Sequence, residues 1–98
     1  MTALLHIEHP VQDFESWRRA FDADPVDRRG SGVRRYRYMR AVDDPSYVVI
    51  DLELETREQA ERLLGKLNEL WARIAAKALK GPVQTRIYEL AGGEELPQ

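Results

Sequence analysis

Four short segments of the chain have the residue types of strands, and two other segments repeat hydrophobic residues with a helical period. The four short segments, which are rich in leucine, β-branched or aromatic residues, are 3–9, 33–41, 47–55 and 83–90. Such segments predict strands. Residues 13–23 and 56–80 instead repeat apolar side chains every three or four positions, which predicts two amphipathic helices. The predicted order is β-α-β-β-α-β.

Each predicted helix begins at a residue that can cap it. The carboxylate of Asp13 can accept a hydrogen bond from the backbone of the first turn. Thr56 and Gln59 have the spacing of a capping box. Gly65 lies inside the second helix, where it costs about 1 kcal/mol relative to alanine, so we expect it to permit a close contact. The apolar stripe of the second helix consists of Ala60, Leu63, Leu64, Leu67, Trp71, Ile74, Ala75 and Ala78.

This order of elements is typical of the ferredoxin-like, or split βαβ, α+β fold. That fold is a four-stranded antiparallel sheet with both helices on one face. A chain of 98 residues suits one domain, and oligomerisation often adds burial at this size. We therefore expect a single domain over residues 1–91 and a flexible tail over residues 92–98.

Opposite charges indicate a register for the hairpin formed by 33–41 and 47–55. If Ala41 faces Tyr47, acidic and basic side chains meet on one face of the two strands. The pairs on that face are then Arg35–Glu53, Arg37–Asp51 and Met39–Val49. Each exposed charged pair contributes about 0.2–1 kcal/mol. The alternate face, which carries Tyr36 and Tyr38, is expected to contact the helices.

The face of the sheet away from the helices has no predicted cover within the chain. His6 and Glu8 are expected on this face, because Leu5 and Ile7 belong with the helices. A face that combines charged pairs with apolar residues suits a packed interface with a second sheet, so we expect a homodimer. The expected interface residues are His6, Arg35, Arg37, Val49, Asp51 and Glu53.

Composition excludes several kinds of chemistry. The chain has no cysteine, which removes disulfides, thiolate metal sites and cysteine nucleophiles. The net charge of −2 gives no general attraction to nucleic acid or to an anionic membrane. The N-terminal segment lacks the basic region of a signal peptide, and no apolar run is long enough for a membrane-spanning helix. We expect a soluble, cytoplasmic protein with no membrane partner.

RNA binding is an alternative, because RNA-recognition modules share this order of elements. Six arginines lie between residues 28 and 40, interleaved with tyrosines. Those modules, however, need stacking aromatic residues on their first and third strands. Here the first strand has no aromatic residue, and the third carries acidic residues that repel phosphates. No nucleic-acid partner is expected.

The two histidines have different expected roles. His6 and His9 are three residues apart on a strand, so they point to opposite faces and cannot share one metal ion. No metal site is expected. His9 faces the helices and is the candidate acid or base, since an unperturbed imidazole has a pKa of about 6.5. The structural alternative is a histidine whose hydrogen bonds are satisfied at the rim of the sheet.

Three segments of the chain resemble the dimeric α/β-barrel superfamily, which includes antibiotic biosynthesis monooxygenase-like and stress-responsive barrel domains. They are HIEHPVQDFESWRRAFD (6–22), DDPSYVVIDLELETREQAERLL (43–64) and GPVQTRIYEL (81–90). The pattern Asp-Phe-x-x-Trp-x-x-x-Phe-Asp in the first segment is the most specific part. The resemblance implies two sheets packed face to face and a small-molecule pocket between each sheet and its own helices.

The resemblance also implies a range of functions. Some members oxidise quinols or polyketide intermediates without metal or flavin, and others degrade haem. Haem-degrading relatives typically have a histidine on the second helix, whereas residues 57–80 contain none. We therefore expect a protein that binds a small aromatic or polyketide-like molecule and acts on it as a cofactor-independent monooxygenase or isomerase. The alternative is a non-enzymatic dimeric module that binds a ligand or has a structural role.

Aromatic side chains are the candidates for lining such a pocket. The five candidate ligand-binding residues are Trp17, Phe21, Tyr36, Tyr38 and Trp71. Aromatic residues at these spacings also commonly pack in a core, which is the alternative for each of them. A cavity of about 300 Å³ or more, lined by His9, one of the tyrosines and the tryptophans, would favour ligand binding.

Overall fold

The predicted order of elements is confirmed in the computed structural model, which describes residues 1–97 apart from the side chains of residues 75–78. The elements are β1 (Ala3–Pro10), α1 (Phe14–Asp22), β2 (Val33–Ala41), β3 (Asp44–Leu54), α2 (Arg57–Ala78) and β4 (Gln84–Glu89). The strands form one antiparallel sheet in the order β2-β3-β1-β4, which confirms the ferredoxin-like α+β fold. Ala75 and Ala78 of the predicted stripe and Gln98 of the predicted tail lie outside the described residues.

Strand β1 lies inside the sheet and separates its two faces most clearly. Its residues alternate strictly between buried and half-buried positions, as a strand with period two requires. The buried set belongs to the helix side and packs with residues of β3 and α2. The core consists of Ala3, Leu5, Ile7, Ile50, Leu52, Leu54, Ala60, Leu63 and Leu67. The same alternation directs His9 toward the helices and His6 toward the opposite face.

Helix α2 begins at the predicted capping box. The Gln59 N–H donates to the Thr56 hydroxyl at 3.1 Å, and the Thr56 N–H donates to the Gln59 side-chain oxygen at 3.2 Å. The expectation for Gly65 is wrong, because no atom lies within 4 Å of the place where its Cβ would be. The apolar stripe faces the sheet and leaves Gly65 on the exposed side, so this glycine supports no close packing.

The hairpin has the predicted register along most of its length. Arg35 pairs with Glu53 and Arg37 with Asp51, as the charge pattern indicates. The turn differs from the prediction, because Ala41 pairs with Asp44 instead of Tyr47 and the register shifts after Arg40. Strand β3 begins three residues earlier than expected. The Asp44 carboxylate accepts a hydrogen bond from the backbone of Ser46 at 3.0 Å, which stabilises the irregular segment.

Helix α1 is amphipathic but packs loosely against the sheet. Its cap is the predicted one, with the Ser16 N–H donating to the Asp13 carboxylate at 2.9 Å. No residue of α1 is buried, although Trp17 and Phe21 lie on its apolar face and are half-buried. An apolar helix face that is directed inward and is not fully packed leaves space beneath it.

Candidate functional site

A cavity of about 500 Å³ lies between the helices and the sheet. Its wall is mostly apolar, and it is built from the sheet, from both helices and from the segment that joins α1 to β2. The principal lining residues are Ile7, His9, Trp17, Phe21, Arg28, Ile50, Leu52, Leu67 and Trp71. This volume falls within the range of small-molecule sites, about 300–1,000 Å³.

The aromatic part of the wall comes from one turn of α1 and from the middle of α2. The rings of Trp17 and Phe21 are stacked, with centroids 5.1 Å apart, because residues four apart lie on the same face of a helix. Trp71 lies on the other side of the cavity, and its ring centroid is 6.5 Å from that of His9. Both tryptophans of the chain therefore line one cavity.

The imidazole of His9 lies at this wall of the cavity. The residue is only 2% exposed, and its Nδ1 lies 3.1 Å from the carbonyl oxygen of Pro10. A carbonyl oxygen only accepts, so the proton of the neutral imidazole is on Nδ1 and the lone pair is on Nε2. Among the described residues, Nε2 has no hydrogen-bond partner. Burial lowers the pKa of His9 below 6.5 and outweighs the opposing effect of the Pro10 carbonyl. The imidazole is therefore a neutral base at neutral pH.

The structure does not bring the two candidate tyrosines to the cavity wall. Tyr38 packs edge-on against Trp17, with centroids 5.1 Å apart, and Tyr36 packs edge-on against Phe21 at 5.4 Å. Both tyrosines lie on β2, an edge strand, and the side chains of α1 stand between them and the cavity. They therefore support the aromatic wall from behind. Trp17, Phe21 and Trp71 are the predicted ligand-binding residues that do line the cavity.

The opposite face of the sheet, which we call the open face, carries a hydrogen-bonded cluster centred on His6. Nδ1 of His6 lies 2.7 Å from Asp51, and Nε2 lies 2.8 Å from Glu8. The Tyr47 hydroxyl donates to Glu8 at 2.6 Å, and Arg37 lies 3.5 Å from Asp51. Sequence reasoning missed Tyr47, because its contact with Glu8 depends on the register between β1 and β3, in which Glu8 pairs with Val49. In this cluster the cations His6 and Arg37 contact the carboxylates of Glu8 and Asp51.

The His6 imidazole bridges two carboxylates, an arrangement that favours the imidazolium form, in which both nitrogens donate. The hydrogen bond with Glu8 is the main cause that raises the pKa of His6 above 6.5, and Asp51 adds to it, while burial opposes it. The bonds from Tyr47 and His6 lower the pKa of Glu8. No lone pair of this imidazolium is left for a metal ion, and among the described residues no group of three potential ligands could hold one.

The raised pKa of His6 predicts a pH-dependent stability difference between the wild type and His6→Gln. A histidine whose pKa is raised on folding stabilises the protein fully below its unfolded pKa, about 6.5, and this contribution is lost as pH rises through the folded pKa. We expect the excess free energy of unfolding of the wild type to be largest below about pH 6.5 and to shrink as pH rises through the raised pKa of folded His6. Urea unfolding at fixed protein concentration measures it, and a pH-independent difference would contradict the charged bridge.

The residues expected at a dimer interface lie on the open face of the sheet. Arg35 lies 3.6 Å from Glu53 on the open face, and Val49 is half-buried there beside the His6 cluster. The six expected interface residues thus share one face of the sheet.

Within residues 1–97, neither helix combines the length and the apolar character that a membrane crossing requires.

Sequence comparison gives no relative for this chain. No protein family matches the sequence, and no curated protein matches it either.

Solved structures resemble the chain along most of its length. A protein from Nitrosomonas europaea described as a "Putative antibiotic biosynthesis monooxygenase" has a TM-score of 0.71 and 18% identity, over 92% of this chain and 90% of that one. A protein from Bordetella bronchiseptica with the same description has a TM-score of 0.64 and 18% identity, over 92% and 97%. The ActVA-Orf6 monooxygenase of Streptomyces coelicolor, in complex with the ligand nanaomycin D, has a TM-score of 0.67 and 17% identity, over 98% and 92%.

These similarities define the class of fold. The chain has the α+β fold of antibiotic biosynthesis monooxygenase-like proteins, which confirms the fold that the resemblance implied. At identities of 17–18% the likeness shows the fold alone. The activity has to be argued from the residues of this chain.

Proposed function

We propose that this protein binds a planar aromatic or polyketide-like molecule in the cavity and oxidises it with dioxygen, without metal or flavin. One observation carries the proposal: an apolar cavity of about 500 Å³ contains a neutral histidine whose Nε2 is available to a ligand. The structural likeness to a monooxygenase solved with the ligand nanaomycin D supports the same class of reaction.

The aromatic wall suits a flat ligand. Trp17 and Phe21 on one side and Trp71 on the other provide ring surfaces for stacking and edge contacts, which favour planar aromatic molecules beyond simple area burial. Most of the remaining wall is aliphatic and excludes water from the reacting atoms. Binding would thus depend on apolar contact, and orientation would depend on the few polar groups at the wall.

His9 would start the reaction as a general base. Nε2 accepts a proton from an acidic C–H or O–H of the substrate, and the resulting anion is delocalised over the rings. The anion gives two electrons to dioxygen and, with the proton returned by His9, forms a hydroperoxide. Loss of the second proton from the same carbon then breaks the O–O bond. The carbon keeps one oxygen as a carbonyl, and the other leaves as water, so a CH₂ group and O₂ become C=O and H₂O.

We further propose that a second copy of the chain covers the open face. The His6 cluster balances two positive and two negative charges, so its burial leaves no net charge in an interface. Leu4 and Val49 are half-buried on the same face, and Met39 and Tyr88 are exposed there. A domain of this size gains needed burial from such an assembly. The dimer would keep one cavity in each subunit, because the cavity lies on the other side of the sheet.

The proposal is tested by dioxygen uptake with an anthrone. Dithranol is a planar tricyclic compound whose central CH₂ is acidic. After treatment with a chelator, the protein is expected to accelerate dioxygen uptake and formation of the corresponding quinone above the spontaneous rate. Rearrangement without dioxygen uptake would indicate an isomerase. Binding without turnover would leave a non-enzymatic ligand-binding protein, and the absence of binding would contradict the proposed site.

A further inference from the structure

A guanidinium group lies at the wall of the mostly apolar cavity. Arg28, in the connection between α1 and β2, lines the cavity, and its side chain is 13% exposed. The Cζ atom is 3.9 Å from the centroid of the Phe21 ring and 4.8 Å from that of Tyr36. The two rings hold the planar group by cation–π contact, so its position is fixed.

The hydrogen bonds of Arg28 are incomplete. One terminal nitrogen donates to the carbonyl oxygen of Phe21 at 2.5 Å. The Nε atom is buried and has no hydrogen-bond partner in the described part of the chain. The nearest carboxylate oxygen, on Asp24, lies 3.5 Å from Nε, and it accepts a 2.9 Å hydrogen bond from the backbone N–H of Arg28. A guanidinium has five donors, and Phe21 occupies one of the four terminal ones, so the terminal nitrogens of Arg28 retain capacity for an anion at the cavity wall.

The segment around Arg28 adopts a conformation that few residues tolerate. Asp24 and Asp27 both have left-handed backbones, with φ of 56° and 52°. Such conformations cost free energy for any residue with a Cβ and persist where the surrounding contacts hold them. The Asp27 carbonyl accepts from the Ser31 N–H at 2.8 Å, and the Asp27 carboxylate accepts from the Gly30 N–H at 3.1 Å. The segment thus holds Arg28 against the cavity by several independent contacts.

We propose that Arg28 binds a carboxylate of the ligand, so that the molecule bound in the cavity is an aromatic acid. This inference rests on the proposed function and adds the chemical class of the ligand. A guanidinium binds a carboxylate through two parallel hydrogen bonds, and the apolar surroundings strengthen the contact. Sequence reasoning counted Arg28 only among the arginines of 28–40. No local pattern singles it out, because residues 24–28 are not helical and the position of Arg28 depends on the backbones of Asp24 and Asp27.

The topology separates Arg28 from His9. Arg28 lies over the ring of Tyr36, the pairing partner of Leu52, whereas His9 pairs with Val48. These two levels are four residue steps apart on β3, which corresponds to about 13 Å along the strand. The ligand is therefore an elongated molecule with its carboxylate at Arg28 and its acidic C–H or O–H at His9.

Charge at the cavity wall favours this orientation. Asp13 lines the cavity four residues after His9, and its carboxylate accepts from the backbone and the hydroxyl of Ser16 at 2.9 and 2.8 Å. These bonds lower the pKa of Asp13, so the group is anionic at neutral pH. A ligand carboxylate is repelled at this end and attracted at the Arg28 end.

The test compares two probes with the same ring system, the anionic anthracene-2-carboxylate and the neutral anthracene-2-carboxamide. Calorimetry measures their affinities, and quenching of Trp17 and Trp71 reports that they occupy the cavity. The wild type is expected to bind the carboxylate at least about tenfold more tightly than the amide. Arg28→Gln is expected to reduce this ratio to about twofold or less while keeping its affinity for the amide. The matched control Arg29→Gln, at an exposed neighbouring arginine, is expected to keep the ratio.

The other outcomes separate a failure of the role of Arg28 from a failure of the proposed function. Equal affinity of the wild type for both probes, or an undiminished preference in Arg28→Gln, overturns the role of Arg28 and leaves the cavity as a binding site. Binding of neither probe overturns the proposed function itself. If Arg28→Gln does not fold, as judged by circular dichroism, Arg28→Lys replaces it. A lysine keeps the charge but lacks the paired donors, so the ratio is expected to fall between the wild-type value and one.

Discussion

Replacement of His9 by glutamine is expected to lower the rate of dithranol oxidation by about 10²–10⁴-fold, the usual contribution of a general base. Glutamine can still donate a hydrogen bond to the Pro10 carbonyl, so the wall of the cavity keeps its shape, but it cannot accept a proton from the substrate. Ligand affinity is therefore expected to change little. The measurement is dioxygen uptake at saturating dithranol, together with calorimetric binding of anthracene-2-carboxamide.

The pH dependence of the rate distinguishes a base from a structural histidine. Burial lowers the pKa of His9, so the neutral form persists below pH 6.5. The wild-type rate is expected to hold as pH falls to this value and to decline only as pH passes through the lowered pKa. The residual rate of His9→Gln is expected to lack that decline. A variant that keeps full activity, or that loses binding and activity together, would contradict the role of His9 as base.

The substitution Arg37→Glu is expected to dissociate the proposed dimer. Arg37 faces Asp51 at 3.5 Å beside the His6 bridge, so charge reversal replaces an attraction with a repulsion and leaves the cluster with excess negative charge. The Arg37 side chain is 76% exposed in the single subunit and would be buried in the proposed dimer. Removing one partner of such a buried charge pair costs about 2–5 kcal/mol, which raises the dissociation constant by about 30-fold or more. Sedimentation equilibrium measures the mass of the particle. We expect twice the 11.4 kDa subunit mass for the wild type and the single subunit mass for the variant.

A control variant with the same change of charge on another surface shows whether the loss of the dimer is specific to Arg37. Arg62 is exposed on α2, which packs against the other side of the sheet, so Arg62→Glu is expected to sediment as the wild type does. A monomeric wild type would contradict the proposed dimer. A dimer that is unaffected by Arg37→Glu would show that the open face is not its interface.

The features predicted correctly are those that neighbouring residues determine. The alternation of β1 follows from the period of a strand, and the capping box follows from two side chains that bond to nearby backbone. The hairpin register is indicated by charges that meet when Arg35 faces Glu53, whereas a shift by one residue places the arginines opposite apolar residues. The start of β3 could not be predicted in this way. The contact of Asp44 with Ser46 allows the strand to begin before the register becomes regular.

The candidate site was only partly predictable, because its shape depends on how far each helix stands from the sheet. Trp17 and Tyr38 both have aromatic side chains on the helix side, yet only Trp17 reaches the cavity, since α1 lies between the cavity and β2. The inward position of Arg28 depends on the left-handed backbones of Asp24 and Asp27, and aspartate adopts that conformation too rarely for a sequence to indicate it.

A crystal structure with anthraquinone-2-carboxylate tests most directly whether the space between helices and sheet is the ligand site. The account predicts the ring system between Trp17 and Trp71, a ring oxygen within hydrogen-bond reach of His9 Nε2, and the carboxylate against Arg28. A ligand bound on the open face, with the cavity empty in a protein that binds it in solution, would contradict the account.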